Sequence, residues 1–400
     1  MMQSAALPSP GASGLEHVVV VTMENRSFDH FLGWLPSADG RQAGLGYPDR
    51  AGVMQPTHAL APDFQGCGHS NPDHSYVGGR VTYDNGACDG WLRAGGNDTY
   101  AIGYYVAPDL PFLGQAAPRW TVCDRYFAAI MAETYPNRLY LHAAQTDRLD
   151  DAPALTSLPT IWDRLDAAGL DGRYYFSDLP FLLLWGLAHA PICRPLDVFL
   201  ADCALGTLPQ VAYVDPRFLG ESSGTSGDDH PPADIRNGEA FLQRVYTAVT
   251  SGPAWPRTLL VITFDEWGGF FDHVPPPVAA VPDRSRAAGD LDGRLGFRVP
   301  TLLIAPWARR GHVAHGVYDH TSILRLIEWR WGLEPLTVRD ATAGNLATAL
   351  DWVQPHLEAD PYAVPPGPFG GPCPATGTAQ GLHWDGLRTL ASSIGWPGTP

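Results

Sequence analysis

Two hydrophobic patterns alternate along this chain. Short, nearly unbroken apolar runs are separated by stretches in which apolar residues return at helical spacing. That alternation predicts an α/β sandwich around a mostly parallel sheet. The run His17-Val18-Val19-Val20-Val21-Thr22 has the character of a strand buried on both faces. Thr258-Leu259-Leu260-Val261-Ile262-Thr263-Phe264 and Thr301-Leu302-Leu303-Ile304 repeat it. Tyr174-Tyr175-Phe176 and Val211-Ala212-Tyr213-Val214 are shorter strand candidates. Between them, Ser157 can cap a helix that carries Ile161, Trp162 and Leu165 and stops at Gly169. A second helix is predicted from about Pro232 to Val249, and a third from a Thr321 cap to Gly332.

Three stretches break this rhythm. Residues 36–115, rich in Gly, Pro, Asp and Asn, predict a long insertion over the sheet. Gly220 to Asp229 has the composition of a flexible loop, and the Pro/Gly-rich tail 355–400 is expected to run over the surface. Neither an internal repeat nor a linker between two cores is visible, so residues 1–400 are expected to form one domain with insertions.

Charge narrows the partners. The formal net charge is -16, and all 26 basic residues are arginine. An acidic surplus argues against nucleic acid, which needs a basic face. It leaves an anionic substrate open, because a bound metal inverts the field of a cleft. No stretch reaches the roughly 18 apolar residues of a membrane span. The N-terminus lacks an export signal, so the chain as written is expected in the cytoplasm, or secreted if a signal has been removed. Six cysteines form no CxxC pair; Cys193 with Cys203 and Cys67 with Cys88 are the sequence-near disulfide candidates.

In open parallel sheets functional groups gather past the carboxyl ends of strands. The first strand runs into Glu24-Asn25-Arg26-Ser27, and the strand ending at Phe264 runs into Asp265-Glu266-Trp267-Gly268-Gly269. Acid–acid and acid–amide pairs straight after buried strands are costly unless they are solvated or bind a cation. The alternative is helix capping by Asn25 and a tight turn at Gly268-Gly269. Two such pairs at equivalent strand ends favour an oxygen-ligand metal site. Thr134 can cap a helix whose first turn holds Pro136, which would set its hydroxyl at the positive end of the dipole; a plain capping role is the alternative.

These residues carry a resemblance. Glu24-Asn25-Arg26-Ser27-Phe28-Asp29-His30-Phe31-Leu32-Gly33 resembles the ENRSFDH-x-x-G opening of the phosphoesterase family, which contains non-specific phospholipases C and related acid phosphatases. Thr134-Tyr135-Pro136-Asn137-Arg138, the block Thr263 to Pro275, and Tyr318-Asp319-His320-Thr321-Ser322 match in order. The resemblance implies an alkaline-phosphatase-like three-layer α/β/α sandwich with loop insertions. It implies one divalent cation held by Glu24, Asn25, Thr134, Asp265 and Glu266, with Thr134 as the nucleophile. His74 and His230 are similar to the family's active-site histidines, whereas His273 and His320 are expected to be structural. After His142 the chain continues Ala143-Ala144-Gln145, where the lipases resembled carry small Ser, Thr or Gly residues.

The function expected is metal-dependent phosphate-ester hydrolysis through a phosphothreonine, phospholipase C-like, with a phospholipid headgroup as one candidate substrate. Acid phosphatase action on monoesters is the alternative, and a non-catalytic binding module a remoter one. An oxygen-rich ligand set favours Ca²⁺, Mg²⁺ or Mn²⁺, with Zn²⁺ or iron open. In the mechanism expected, the helix N-terminus and His74 hold phosphoryl oxygens and His230 protonates the leaving alcohol. A sulfatase is disfavoured, because oxidising a threonine gives a ketone and not the aldehyde that chemistry requires.

Overall fold

The computed structural model describes residues 7–374 and 383–397. Its central sheet has eight strands: β1 (His17–Met23), β2 (Thr121–Cys123), β3 (Gly172–Phe176), β4 (Cys193–Pro195), β5 (Val211–Val214), β6 (Thr258–Phe264), β7 (Leu302–Ile304) and β8 (His312–Ala314). They lie in the order β8-β2-β7-β6-β1-β5-β3-β4. Only β7 runs antiparallel to its neighbours, so the mostly parallel sheet expected from the apolar runs is present.

Helices cover both faces. Tyr174 and Tyr175 are successive strand residues and point to opposite sides. Tyr174 packs against His142 of α2 (Thr134–Ala143) and Trp162 of α3 (Ile161–Ala167). Tyr175 packs against Phe199 of α4 (Leu196–Leu205), which lies beside α5 (Ile235–Ser251). In α5 the buried positions Ile235, Gly238, Leu242, Val245, Tyr246 and Val249 recur at helical spacing and form its inner face. One buried apolar cluster extends from Leu15 to Trp396. Among the described residues no helix is long and apolar enough to cross a membrane.

Three helix starts differ from expectation. Thr160, not Ser157, caps α3, because its hydroxyl and the Asp163 carboxylate satisfy each other's backbone N–H groups. Asp319, not Thr321, caps α6 (His320–Trp331), accepting the Thr321 N–H at 2.7 Å. Thr134 is the first helical residue of α2, and Glu133 occupies the cap position.

The cysteine pairing also differs. The disulfide joins Cys67 to Cys373, 306 residues apart, while Cys88, Cys123, Cys193 and Cys203 are buried thiols. Proximity in sequence does not set Cα separation, and the fold brings the Cα atoms of Cys67 and Cys373 to 5.4 Å. The tail is therefore not merely a surface wrap. Its exposed stretch is tied to the insertion, and it ends in α7 (His383–Ser393), whose Trp384, Leu387 and Ala391 are buried. The tail residues 375–382 and 398–400 lie outside the described residues.

Candidate active site

Register creates the site. Met23 of β1 pairs with Phe264 of β6, so Glu24 and Asp265 leave the sheet side by side. Asp215 follows β5 on the other flank of β1. The chain turns sharply at both central strands. Asn25 adopts φ 60°, a left-handed conformation that asparagine tolerates better than most residues. Opposite it, a Cβ on Gly268 would sit 2.1 Å from the Asn25 carbonyl oxygen. The Gly268-Gly269 turn is thus required for the close approach, and Asn25 is not a cap; Ser27 caps α1 (Phe28–Leu32).

Arg138 organises the carboxylates. It stands one helical turn after Thr134, on the same face of α2. Its guanidinium reaches Glu24 Oε1 at 3.2 Å, Asp215 Oδ1 at 3.3 Å and Asp265 Oδ2 at 3.1 Å. The other Asp265 oxygen accepts the backbone N–H groups of Asn25 and Glu266. Glu266 Oε2 accepts the Gly268 N–H at 2.7 Å. Asn137 ties the preceding loop by accepting from Ile130 N–H and donating to Ala132 and Glu133 carbonyls.

What these donors leave over is informative. Four of the five residues expected to hold a cation carry a buried oxygen with no hydrogen-bond partner among the described residues. They are Glu24 Oε2, Asn25 Oδ1, Thr134 Oγ1 and Glu266 Oε1. Asp265 differs, since both its oxygens already accept protein donors. Bare buried oxygens of this kind cost on the order of 1–3 kcal/mol each unless something binds them.

His74 comes from the insertion and lies in the same place. Its Nδ1 donates to the Pro72 carbonyl at 2.7 Å, so Nε2 faces the Asn25 amide nitrogen at 3.4 Å and Glu266 Oε1 at 3.9 Å. That contact holds the amide nitrogen of Asn25 and leaves its oxygen free. His230 is fixed through its backbone N–H on Asp228 Oδ1, and a ring nitrogen lies within 4.8 Å of carboxylate oxygens of Glu24 and Glu221. The structure thus brings His74, His230, Glu24, Asn25, Asp265 and Glu266 around one centre, with Thr134 at the start of the helix that supplies Arg138.

Four contributors escaped the sequence reading. Glu221 and Asp228 belong to the stretch read as a flexible loop, yet both are buried, and the Asp228 carbonyl accepts the Glu24 N–H at 2.8 Å. Arg138 lay unremarked inside a matched block. Trp384, whose indole donates to Glu24 Oε1 at 3.0 Å, had no signal in a tail read as surface. One expected feature is changed: the Asp151 carboxylate already accepts the Tyr135 N–H at 2.6 Å, so the start of α2 is partly occupied.

Burial dominates the electrostatics of the carboxylates. Burial, and then Asp265, push the Glu24 carboxyl well up despite Arg138. Burial and Asp265 do the same to Glu266, and burial and Glu24 to Glu221. Burial moves Asp265 up to about 6 and Asp228 to about 7. A second acidic cluster makes the contrast. Asp29, Asp272 and His273 also lie together, but Arg298 bonds Asp29 at 3.1 Å and Asp272 at 2.9 Å, and His273 donates to Asp29 at 2.6 Å. That cluster differs in its partners and not in its proton affinity, since burial moves Asp272 up to about 6 as well. His320 is likewise structural, donating to the Asp265 carbonyl at 2.5 Å.

A family model described as the phosphoesterase family matches residues 15–334. Phospholipase C B of Mycobacterium tuberculosis is 32% identical, covering 88% of this chain and 81% of its own. Non-specific phospholipase C1 of Arabidopsis thaliana is also 32% identical, covering 83% of this chain and 70% of its own. Among solved structures, a phosphonate monoester hydrolase of Agrobacterium radiobacter aligns with a TM-score of 0.40 at 12% identity, over 85% of this chain and 78% of that one. A protein of the alkaline phosphatase superfamily from Vibrio parahaemolyticus aligns with a TM-score of 0.39 at 10% identity, over 82% and 70%.

Proposed function

This chain belongs to the phosphoesterase family and is a phosphoric ester hydrolase, and on that footing we propose that it cleaves phosphodiesters in the manner of a phospholipase C, with one divalent cation and Thr134 as nucleophile. The observation that carries this reading is the set of four bare buried oxygens on Glu24, Asn25, Thr134 and Glu266. A hydroxyl, an amide oxygen and carboxylates are a hard donor set and suit Ca²⁺, Mg²⁺ or Mn²⁺. Glu24, Asn25, Thr134, Asp265 and Glu266 would hold the ion. When bound, such a cation offsets the carboxylate charge, lowers the proton affinity of a coordinated hydroxyl and draws charge from a phosphoryl group.

The protein's own groups do the rest. Thr134 enters the reaction deprotonated, its proton given to solvent; Oγ1 attacks phosphorus in line, the bond from phosphorus to the alcohol oxygen breaks, and the phosphothreonine forms. His230 gives the alcohol its proton and then takes one from the water that releases the phosphorylated headgroup. His74, fixed through Nδ1, presents Nε2 beside Glu266; when that nitrogen is protonated it gives up the Asn25 amide and donates instead to a phosphoryl oxygen. Arg138 stays on the carboxylates and keeps them in register.

The test pairs two substrates with chelation. Para-nitrophenyl phosphorylcholine should be turned over faster than para-nitrophenyl phosphate, and thorough chelation should abolish both activities until Mn²⁺ or Ca²⁺ is restored. Faster monoester hydrolysis would make the protein a phosphatase. Full activity in metal-free protein would defeat the site as drawn.

A further inference from the structure

The two oxygens of Glu24 are treated differently. Oε1 is ion-paired with Arg138 Nη2 at 3.2 Å and accepts from the Trp384 indole at 3.0 Å, whereas Oε2 has no hydrogen-bond partner among the described residues. Trp384 stands 360 positions after Glu24, in the first turn of α7. Its ring is locked on every side. It stacks on Phe218 with centroids 3.6 Å apart and planes 3° apart, meets Tyr135 and Phe181 edge-on, and lies 5.3 Å from the Arg138 guanidinium. Leu387 and Ala391, one and two turns on, are fully buried and seat the helix.

Burying a tryptophan requires a partner for its N–H, but a backbone carbonyl would serve. Here the partner is a carboxylate at the end of the central strand. A glutamate with one donor on Oε1 can still rotate about its last bond, since that torsion is broad. An ion pair and a hydrogen bond that meet the same oxygen from different residues remove that freedom. The second comes from a ring that the core holds still.

We propose that Trp384 is a positioning residue for the cation: with Arg138 it pins Glu24 Oε1 and thereby presents Oε2 as the ligand oxygen. The tail helix is on this view part of the site. The inference rests on the reading of Glu24 as a cation ligand. Partners that orient a ligand in this way are typically worth about 10–100-fold in metal affinity.

The experiment measures Mn²⁺ affinity by calorimetry on chelated, full-length protein. Trp384→Phe keeps a ring on Phe218 and removes only the N–H; it should weaken Mn²⁺ binding about 10-fold. Leu387→Val trims the seating of α7 one turn on and leaves the indole N–H and the Phe218 stack in place, and should bind Mn²⁺ within about 2-fold of wild type, far less than the 10-fold expected of an orienting partner. Thermal melts of the metal-free variants establish that each is folded. Wild-type affinity in Trp384→Phe overturns the proposal, as does equal loss in both variants, which would make packing the agent. Glu24→Gln separates the two readings. If it leaves Mn²⁺ affinity unchanged, Glu24 is no ligand and the site reading itself fails. If it abolishes binding while Trp384→Phe does not weaken it, only the role of Trp384 falls.

Discussion

At the scale of single residues, Thr134 is the sharpest test. Its hydroxyl is fully buried, caps nothing and has no hydrogen-bond partner among the described residues. Thr134→Val keeps the β-branched shape and removes that bare oxygen. We expect the metal-free variant to be unchanged or more stable by about 1 kcal/mol, because an unsatisfied buried hydroxyl is lost. Turnover should fall by at least about 10³-fold, while Thr134→Ser keeps measurable activity. Near-normal rates in Thr134→Val would remove threonine from the mechanism. The sequence made this residue and the four strand-end residues proposed as ligands visible because they sit in contiguous blocks. Glu221 and Asp228 were hidden by the Gly/Ser composition around them, and tertiary structure reveals them: the Glu24 N–H bonds the Asp228 carbonyl, and the Glu221 carboxylate lies within 4.8 Å of Glu24 and His230.

At the scale of elements, the buried strands were the most legible part of the fold. Thr258–Phe264 and His17–Met23 are near-continuous apolar runs, and the fold buries every residue of them but the half-buried His17. Helix starts were less legible, since several capping residues stand within a few positions of one another and reciprocal bonding decides among them. Thr160 wins over Ser157 because Asp163 bonds back to it. How elements are joined was not legible at all. Glu239 on α5 is buried and accepts the backbone N–H groups of Phe112 and Leu113, linking that helix to the insertion. Burial pushes its carboxyl up to about 8 from 4.5. The fold therefore holds this proton more tightly than the unfolded chain does. Its contribution to stability is complete below pH 4.5 and is lost as pH rises through about 8. Glu239→Gln keeps an oxygen for both N–H groups and removes the titration. Unfolding curves at pH 5 and pH 8 should differ less for the variant, by on the order of 2 kcal/mol. Parallel pH profiles for the two proteins would refute the assignment.

At the scale of the whole molecule, the site is assembled from the two ends and the middle of the chain. Glu24 comes from the first strand, His74 from the insertion, Thr134 and Arg138 from α2, His230 from a loop and Trp384 from the tail. The Cys67–Cys373 bond ties the insertion to the tail, and its neighbours add to the strap. Cys373 N–H donates to the Ser223 carbonyl, Gln65 to Gly224 and Gly371, and Asn237 bonds Phe369 in both directions. Earlier in the tail, Tyr246 bonds the Asp360 carbonyl and Trp255 the Leu357 carbonyl. Loss of the disulfide should therefore loosen the tail without unfolding the sheet. Cys373→Ser is expected to cost about 2–4 kcal/mol, the usual range for a native bond. The loss should be local: backbone hydrogen exchange in α7 should accelerate at least about 10-fold, while β1 and β6 exchange as before. Because Trp384 rides on α7, Mn²⁺ affinity should fall in the same variant, and by no more than in Trp384→Phe if the tail acts on the cation only through that indole. Exchange that accelerates equally in β1 would mean that the tail and the sheet unfold as one unit, and the disulfide would then be a global staple.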